Sequence, residues 1–204
     1  VRADVNAILF DEPLTVIDPH MKWVLRSQLK QLHRRYGFTM VYVTHDQTEA
    51  LTFAENVVVM YDGQIVQIGT PAELFERPRH TFVGYFIGSP GMNVLPVELA
   101  DGEARMGAER IALPGLPAGP LSGTVELGIR PEFVRLGREG MPATIAKVED
   151  VGRRKIVRAA IQGRDIALIA GEDEEIPAEP RLSFDPAGIN LYADSWRVEL
   201  GGRP

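Results

Sequence analysis

The 204-residue chain contains no cysteine. That excludes disulfides, thiolate metal sites, a cysteine nucleophile and a redox pair, and it suits a reducing cytoplasm. Histidine is scarce, with only four residues, which are the remaining imidazole ligands or bases. No apolar run approaches the roughly 18 residues needed to cross a bilayer. The opening Val1-Arg2-Ala3-Asp4 has neither the basic nor the apolar stretch of a signal peptide. A basic excess is also missing: 22 Lys+Arg stand against 28 Asp+Glu, a net charge of -6. Nucleic acid is therefore disfavoured as a partner, because phosphate contacts need a basic face. The chain does have 45% hydrophobic residues, enough for one or two packed cores. Small ligands and other proteins remain as partners.

Glycine and proline together number 8 in residues 1–87 and 27 in residues 88–204. This change of character predicts two domains, 1–87 and 88–204. Neither is basic, since the first holds 8 basic and 10 acidic residues and the second 14 and 18. In the first, the apolar runs Ala7–Phe10 and Phe38–Val43 flank a helical pattern of Met21, Val24, Leu25, Leu29 and Leu32. Asp18 is placed to cap that helix, Pro19 to begin it and Gly37 to stop it. The pattern predicts β-α-β with parallel strands, and their continuous apolar character predicts burial on both faces. A short helix from about Asp46 to Glu55 follows, then a hairpin turning at Asp62-Gly63. Thr70-Pro71-Ala72-Glu73 has the form of a capping box. After Pro90, short apolar segments (94–99, 110–113, 123–129, 142–148, 156–161, 166–169, 181–184 and 189–192) separated by frequent Gly and Pro predict a small all-β barrel. Glu172-Asp173-Glu174-Glu175 reads as a solvated loop.

Polar residues directly follow each predicted parallel strand, Asp11-Glu12 after the first and Thr44-His45 after the second. Open parallel sheets bind ligands at the carboxyl ends of their strands, so the two clusters are expected to share a crevice. Adjacent carboxylates there need a cation or hydrogen-bond donors opposite them. For each residue taken alone, capping the next turn (Asp11 or Glu12) or an ordinary structural histidine (His45) is the simpler account.

The segments Ile8-Leu9-Phe10-Asp11-Glu12-Pro13-Leu14-Thr15-Val16-Ile17-Asp18 and Tyr42-Val43-Thr44-His45-Asp46-Gln47-Thr48-Glu49-Ala50, in that order, resemble the Walker B strand, D-loop and switch histidine of ABC transporter ATPases. Val57 to Pro71 is similar to the stretch that follows in that family. Phe86-Ile87-Gly88-Ser89-Pro90-Gly91-Met92-Asn93 and Gly128-Ile129-Arg130-Pro131-Glu132 resemble the subgroup that imports sugars, glycerol phosphate and related solutes. The resemblance implies the C-terminal part of a P-loop ABC ATPase domain followed by an OB-like (TOBE) regulatory domain. It implies ATP and Mg as cofactors, with Asp11 positioning magnesium through water, Glu12 polarising the hydrolytic water, His45 at the γ-phosphate end and Asp18 acting across a dimer interface. It further implies a homodimer formed through both domains, membrane-spanning permease subunits, an indirect periplasmic solute-binding protein, and a place at the cytoplasmic face of the bacterial inner membrane. Thr15 and Ile17 depart from the usual Ser and Leu of the D-loop and keep its chemistry. Gln47 and Glu49 read as helix surface.

The sequence has no Gly-Lys pair, hence no G-x-x-x-x-G-K-[ST] phosphate loop, and no L-S-G-G-Q signature. Leu121-Ser122-Gly123-Thr124 reads as a turn. The 204 residues are therefore expected to be a C-terminal fragment that hydrolyses no ATP by itself. A stand-alone regulatory or small-ligand module is the alternative. A metal hydrolase built on His45-Asp46 is a poor fit, because His20, His33 and His80 lack metal-ligand spacing. Arg130 is expected at the surface or in a salt bridge, Arg153-Arg154-Lys155 in a solvated turn, and Trp23 and Trp196 in packing.

Overall fold

The computed structural model describes residues 6–100, 103–111, 113, 115–116 and 121–201. The opening Val1-Arg2-Ala3-Asp4 and Ala112 of the predicted 110–113 strand lie outside these residues. The chain divides into two compact units, one running to Val58 and including Ile68–Glu73, the other formed by Val59–Gln67 and the residues from Leu74 onward. No described helix is long and apolar enough to cross a membrane.

In the first unit, β1 (Ala7–Asp11), α1 (Pro19–Tyr36), β2 (Thr39–Val43) and α2 (Gln47–Phe53) follow in order. The strands are parallel, in register from Ala7 opposite Thr39 to Asp11 opposite Val43. Asp18 caps α1 by accepting from the His20 N–H at 2.9 Å. Gly37 ends it at φ 68, a left-handed conformation that glycine adopts without a Cβ clash.

Burial on both faces of the strands is not observed. Ile8, Phe10, Met40 and Tyr42 are half-buried, while Leu9, Val41 and Val43 on the other face are 68%, 48% and 45% exposed. A two-stranded sheet has two faces, and the described residues of this unit cover one. Trp23 likewise does not pack; it is 66% exposed on α1, a helix none of whose residues is fully buried.

A hairpin of β3 (Val57–Tyr61) and β4 (Gln64–Gly69) comes next. Its turn residues Asp62 and Gly63 have φ 49 and 73, as a primed turn requires. The capping box opens α3 (Pro71–Glu76): Glu73 Oε2 accepts from the Thr70 N–H at 2.7 Å and Thr70 Oγ1 accepts from the Glu73 N–H at 3.3 Å. A fourth helix, α4 (Thr81–Phe86), lies in the second unit.

Apart from 3-10 turns at Pro131–Phe133 and Pro186–Gly188, the regular structure in the rest of that unit is β: β5 (Asn93–Pro96), β6 (Glu98–Ala100), β7 (Glu103–Met106), β8 (Glu109–Ile111), β9 (Val125–Ile129), β10 (Val134–Gly137), β11 (Met141–Pro142), β12 (Thr144–Asp150), β13 (Arg154–Ile161), β14 (Arg164–Gly171), β15 (Arg181–Phe184), β16 (Ile189–Ala193) and β17 (Trp196–Val198). They pair as antiparallel sheets ordered β17-β16-β9-β5, β12-β13-β14, β10-β15-β11 and β6-β7-β8. Leu95, Leu127, Ile129, Val157, Leu168 and Leu191 belong to one shared hydrophobic core. The expected all-β architecture is present as separate hydrogen-bonded sheets around that core. Sequence patterning missed β7, β10 and β17, which are three or four residues long with an arginine in each. Trp196 is half-exposed, with its ring edge-on to His80 at 4.8 Å.

Two buried polar side chains tie distant segments of this unit together. Arg130, expected at the surface or in a salt bridge, is only 4% exposed. Its Nε donates to the Phe75 carbonyl at 2.7 Å and its Nη1 to the Ile87 carbonyl at 2.6 Å, and the guanidinium lies 3.8 Å from the centre of the Phe75 ring. These carbonyls end α3 and α4, where helices leave C=O groups unpaired and favour a cation. Burial lowers the Arg130 pKa to about 10, which still leaves it charged at neutral pH. Asn93 donates to the carbonyls of Ile129 at 3.1 Å and Ala167 at 2.9 Å, and accepts from the Ala167 N–H at 2.7 Å. It thereby satisfies both backbone groups of Ala167 at the edge of β14, a residue 8% exposed. Asn93→Leu strands these two groups and is expected to destabilise the second unit by about 2–5 kcal/mol, read as a lower denaturant midpoint at unchanged m-value.

Candidate functional site

The site sits at the carboxyl ends of β1 and β2. The Glu12 N–H donates to the Val43 carbonyl at 2.9 Å, extending the parallel ladder one residue past Asp11. Glu12 then takes φ 47, an uncommon left-handed value for a residue with a long side chain. The chain turns sharply there, and Leu14, 4% exposed, anchors the turn. This brings Glu12 Oε1 to 2.6 Å from His45 Nδ1, while Thr15 Oγ1 donates to Glu12 Oε2 at 2.8 Å.

The side chains of His45 and Glu12 are 71% and 38% exposed. The hydrogen bond from His45, followed by that from Thr15, holds the Glu12 carboxyl below its ordinary value. The same contact with Glu12 raises the His45 imidazole. An ionised carboxylate can only accept, so His45 Nδ1 carries the proton and Nε2 is left for another group. In its ionised form the pair has an acid-base group at one end and an imidazole nitrogen at the other, both open to solvent.

The structure brings Glu12 and His45 together, and places Asp11 and Asp18 apart from that contact. Asp11 is exposed at the end of β1, on the same sheet face as Leu9. Asp18 is exposed and caps α1. No group of three or more Asp, Glu or His that could hold a metal ion occurs among the described residues. A single exposed carboxylate fits magnesium only where water and phosphate oxygens fill the remaining positions, which is how this hard cation is commonly held.

Glu49, expected on the helix surface, is 3% exposed. Its Oε2 accepts from Tyr42 Oη at 2.9 Å and from Thr44 Oγ1 at 3.2 Å, and Lys22 Nζ lies 3.0 Å from Oε1. Burial, and then the bond to Glu49, push the Tyr42 phenol well above its ordinary range. The sequence signal for this was the spacing Asp46-Gln47-Thr48-Glu49, in which Glu49 stands three residues after the cap. Asp46 Oδ1 does accept from the Glu49 N–H at 3.1 Å. The Glu49 side chain turns to Tyr42 and Thr44 instead of completing a box.

A separate cavity of about 330 Å³ in the second unit is lined by Glu76, Arg77, Asn190, Arg197 and Glu199 among others. Its acidic and basic side chains balance, so it has no net charge to select an ion.

Residues 88–134 match the family described as the MalK OB fold domain. An uncharacterized ABC transporter ATP-binding protein, y4oS of Sinorhizobium fredii, is 40% identical over 188 residues, covering 90% of this chain and 50% of that protein. The sn-glycerol-3-phosphate import ATP-binding protein UgpC of Paracoccus denitrificans is 40% identical over 202 residues, covering 91% of this chain and 54% of that protein. UgpC of Bordetella avium is 44% identical over 156 residues, covering 74% of this chain and 43% of that protein. Over about nine tenths of its length the chain is thus similar to ABC transporter ATP-binding proteins, and its residues 88–134 are similar to the MalK OB fold. It spans about half the length of the curated relatives it matches.

The site's pH behaviour follows from the two shifts. His45 is raised above 6.5, so its contribution is full below that pH and is lost as pH rises through the folded value. Glu12 is lowered below 4.5, so its contribution is full above that pH and is lost as pH falls through the folded value. The ion pair is therefore complete between about pH 4.5 and 6.5. In an NMR titration the His45 midpoint is expected above 6.5, and Glu12→Gln is expected to move it back down.

Proposed function

We propose that these residues serve the ATP-hydrolysing, energy-coupling subunit of an ABC importer for sugars or related solutes such as glycerol phosphate. The observation that supports this is the 2.6 Å contact between Glu12 and His45 at the carboxyl ends of adjacent parallel strands, where sheets of this kind bind ligands. Glu12 accepts a proton from the attacking water, and its ionised state suits it to that role. His45, its Nδ1 committed to Glu12, offers Nε2 to the γ-phosphate end of ATP. Asp11 would hold magnesium through water, and the ion would supply positive charge against the phosphate oxygens. Asp18 acts across the interface of a homodimer, and its cap to His20 fixes the start of α1.

In this reading residues 1–87 are the C-terminal part of the ATPase domain and 88–204 an OB-like domain for subunit contact and regulation. Membrane-spanning permease subunits are the direct partners, and a periplasmic solute-binding protein the indirect one, at the cytoplasmic face of the inner membrane. The 204 residues hold no Gly-Lys pair to cradle the β- and γ-phosphates, so by themselves they turn over no ATP.

The test compares the 204-residue chain with the same residues joined behind a segment supplying a G-x-x-x-x-G-K-[ST] loop. The longer protein is expected to hydrolyse ATP, Glu12→Gln to lower its kcat by about 10²–10⁴-fold, and the shorter chain to show no turnover. Equal kcat for the longer protein and its Glu12→Gln variant contradicts the assignment of Glu12. Turnover by the shorter chain that Glu12→Gln abolishes contradicts its inactivity.

A further inference from the structure

His45 is presented by a three-residue connection, Thr44-His45-Asp46, between β2 and α2. Its side chain is largely in solvent and hydrogen-bonds Glu12. An exposed imidazole gains little from packing, and fixing its rotamer costs entropy. Its aim must therefore come from the backbone that carries it.

That backbone is held through one buried carboxylate. Glu49 Oε2 accepts from Thr44 Oγ1 on the N-terminal side of His45. The Thr44 hydroxyl in turn accepts from the Asp46 N–H at 3.0 Å, and Asp46 Oδ1 accepts from the Glu49 N–H at 3.1 Å. The chain of bonds has a consistent direction, since one hydroxyl proton serves Glu49 while the Thr44 lone pairs serve Asp46. Tyr42 Oη and Lys22 Nζ fix the carboxylate itself from β2 and α1. Asp46 already caps α2, so the helix start does not need a second acid. A carboxylate 3% exposed is costly to bury unless its partners are met. Here Oε2 is met by Tyr42 and by Thr44, the residue before His45, and Oε1 faces the Lys22 ammonium at 3.0 Å.

We infer that Glu49 is a positioning residue which, by fixing the Thr44 hydroxyl and through it the Asp46 N–H, holds His45 in reach of Glu12. The inference takes its catalytic meaning from the proposed function, and its geometry is independent of ATP. The charged groups facing His45 are Glu12 beyond β1, and Asp46 and Glu49 on its own side. Lys22 of α1 faces the Glu12 and Glu49 carboxylates.

Imidazole nitrogen chemical shifts in the 204-residue chain, at a pH where His45 is neutral, report which nitrogen carries the proton. Wild type is expected to show the Nδ1-protonated tautomer. Glu49→Gln keeps an acceptor for Tyr42 and Thr44 and should retain most of that signal. Glu49→Ala should lose it in favour of the Nε2-protonated form that exposed imidazoles prefer. Thr44→Val, which leaves the Lys22–Glu49 pair in place, should lose it as well, and it carries the test should Glu49→Ala fail to fold. The unchanged His33 signal, whose ring meets Phe38 edge-on at 5.9 Å, reports that the unit is folded. An Nδ1 tautomer unchanged in folded Glu49→Ala or Thr44→Val overturns the inference.

In the longer ATP-hydrolysing protein, Glu49→Ala is expected to lower kcat by about 10²-fold with little change in KM. If the tautomer shifts but kcat does not, the positioning role stands and the use of His45 in the proposed function falls. A wild-type His45 without the Nδ1 proton contradicts the Glu12 contact and overturns both.

Discussion

The parallel register of β1 and β2 is the constraint from which the site follows. With Asp11 opposite Val43, the next residue on each side, Glu12 and Thr44, leaves the sheet at the same level. The bond from the Glu12 N–H to the Val43 carbonyl carries the ladder one step further, and the left-handed turn at Glu12 then swings its side chain toward His45. A slip of one residue would send each strand's side chains to the opposite face and separate the pair. The crossover helix enforces the register through its ends, Asp18 capping at the start and Gly37 stopping it two residues before β2. Lys22 adds a third tie, reaching from the first turns of α1 to the buried Glu49.

The second unit solves a different problem. Its many short strands leave edges and helix ends whose backbone groups need partners. Asn93 supplies them for β14, and Arg130 for the last carbonyls of α3 and α4. Tyr192, fully buried, donates its hydroxyl to the Pro78 carbonyl at 3.0 Å. Each of these bonds bridges distant points of the sequence. Through Arg130 the segment from Leu74 to Ile87 is tied to the residue following β9, and this segment falls in the second unit. The second compact unit therefore begins before Gly88, and α4 falls within it.

Local chemistry was readable in advance: the cap at Asp18, the stop at Gly37, the Asp62-Gly63 turn, the Thr70–Glu73 box and the β-α-β order all depend on residues within one element of each other. The approach of Glu12 to His45 could be read for the same reason, since parallel strands joined by one helix leave few alternatives. What escaped depends on distance or on faces. Arg130 finds its acceptors 43 to 56 residues earlier, and Asn93 meets Ala167 across 74 residues. The seven residues of α2 are too few for a period to reveal that Glu49 faces inward. The apolar runs of β1 and β2 announced strands correctly, but Leu9, Val41 and Val43 show that apolar character alone does not say which face is covered.

A functional account of this chain therefore rests on whether β1 and β2 are paired in parallel, in this register. Because the chain has no cysteine of its own, a pair introduced by Leu9→Cys and Val41→Cys reports the register without background. These positions are opposite each other and both exposed, and neighbouring strands lie about 4.8 Å apart, within the range a disulfide spans. Mild oxidation is predicted to cross-link this pair and to leave a Leu9→Cys, Met40→Cys control, whose side chains lie on opposite faces, uncross-linked. Cross-linking of the control but not of Leu9→Cys with Val41→Cys would contradict the register, and with it the meeting of Glu12 and His45.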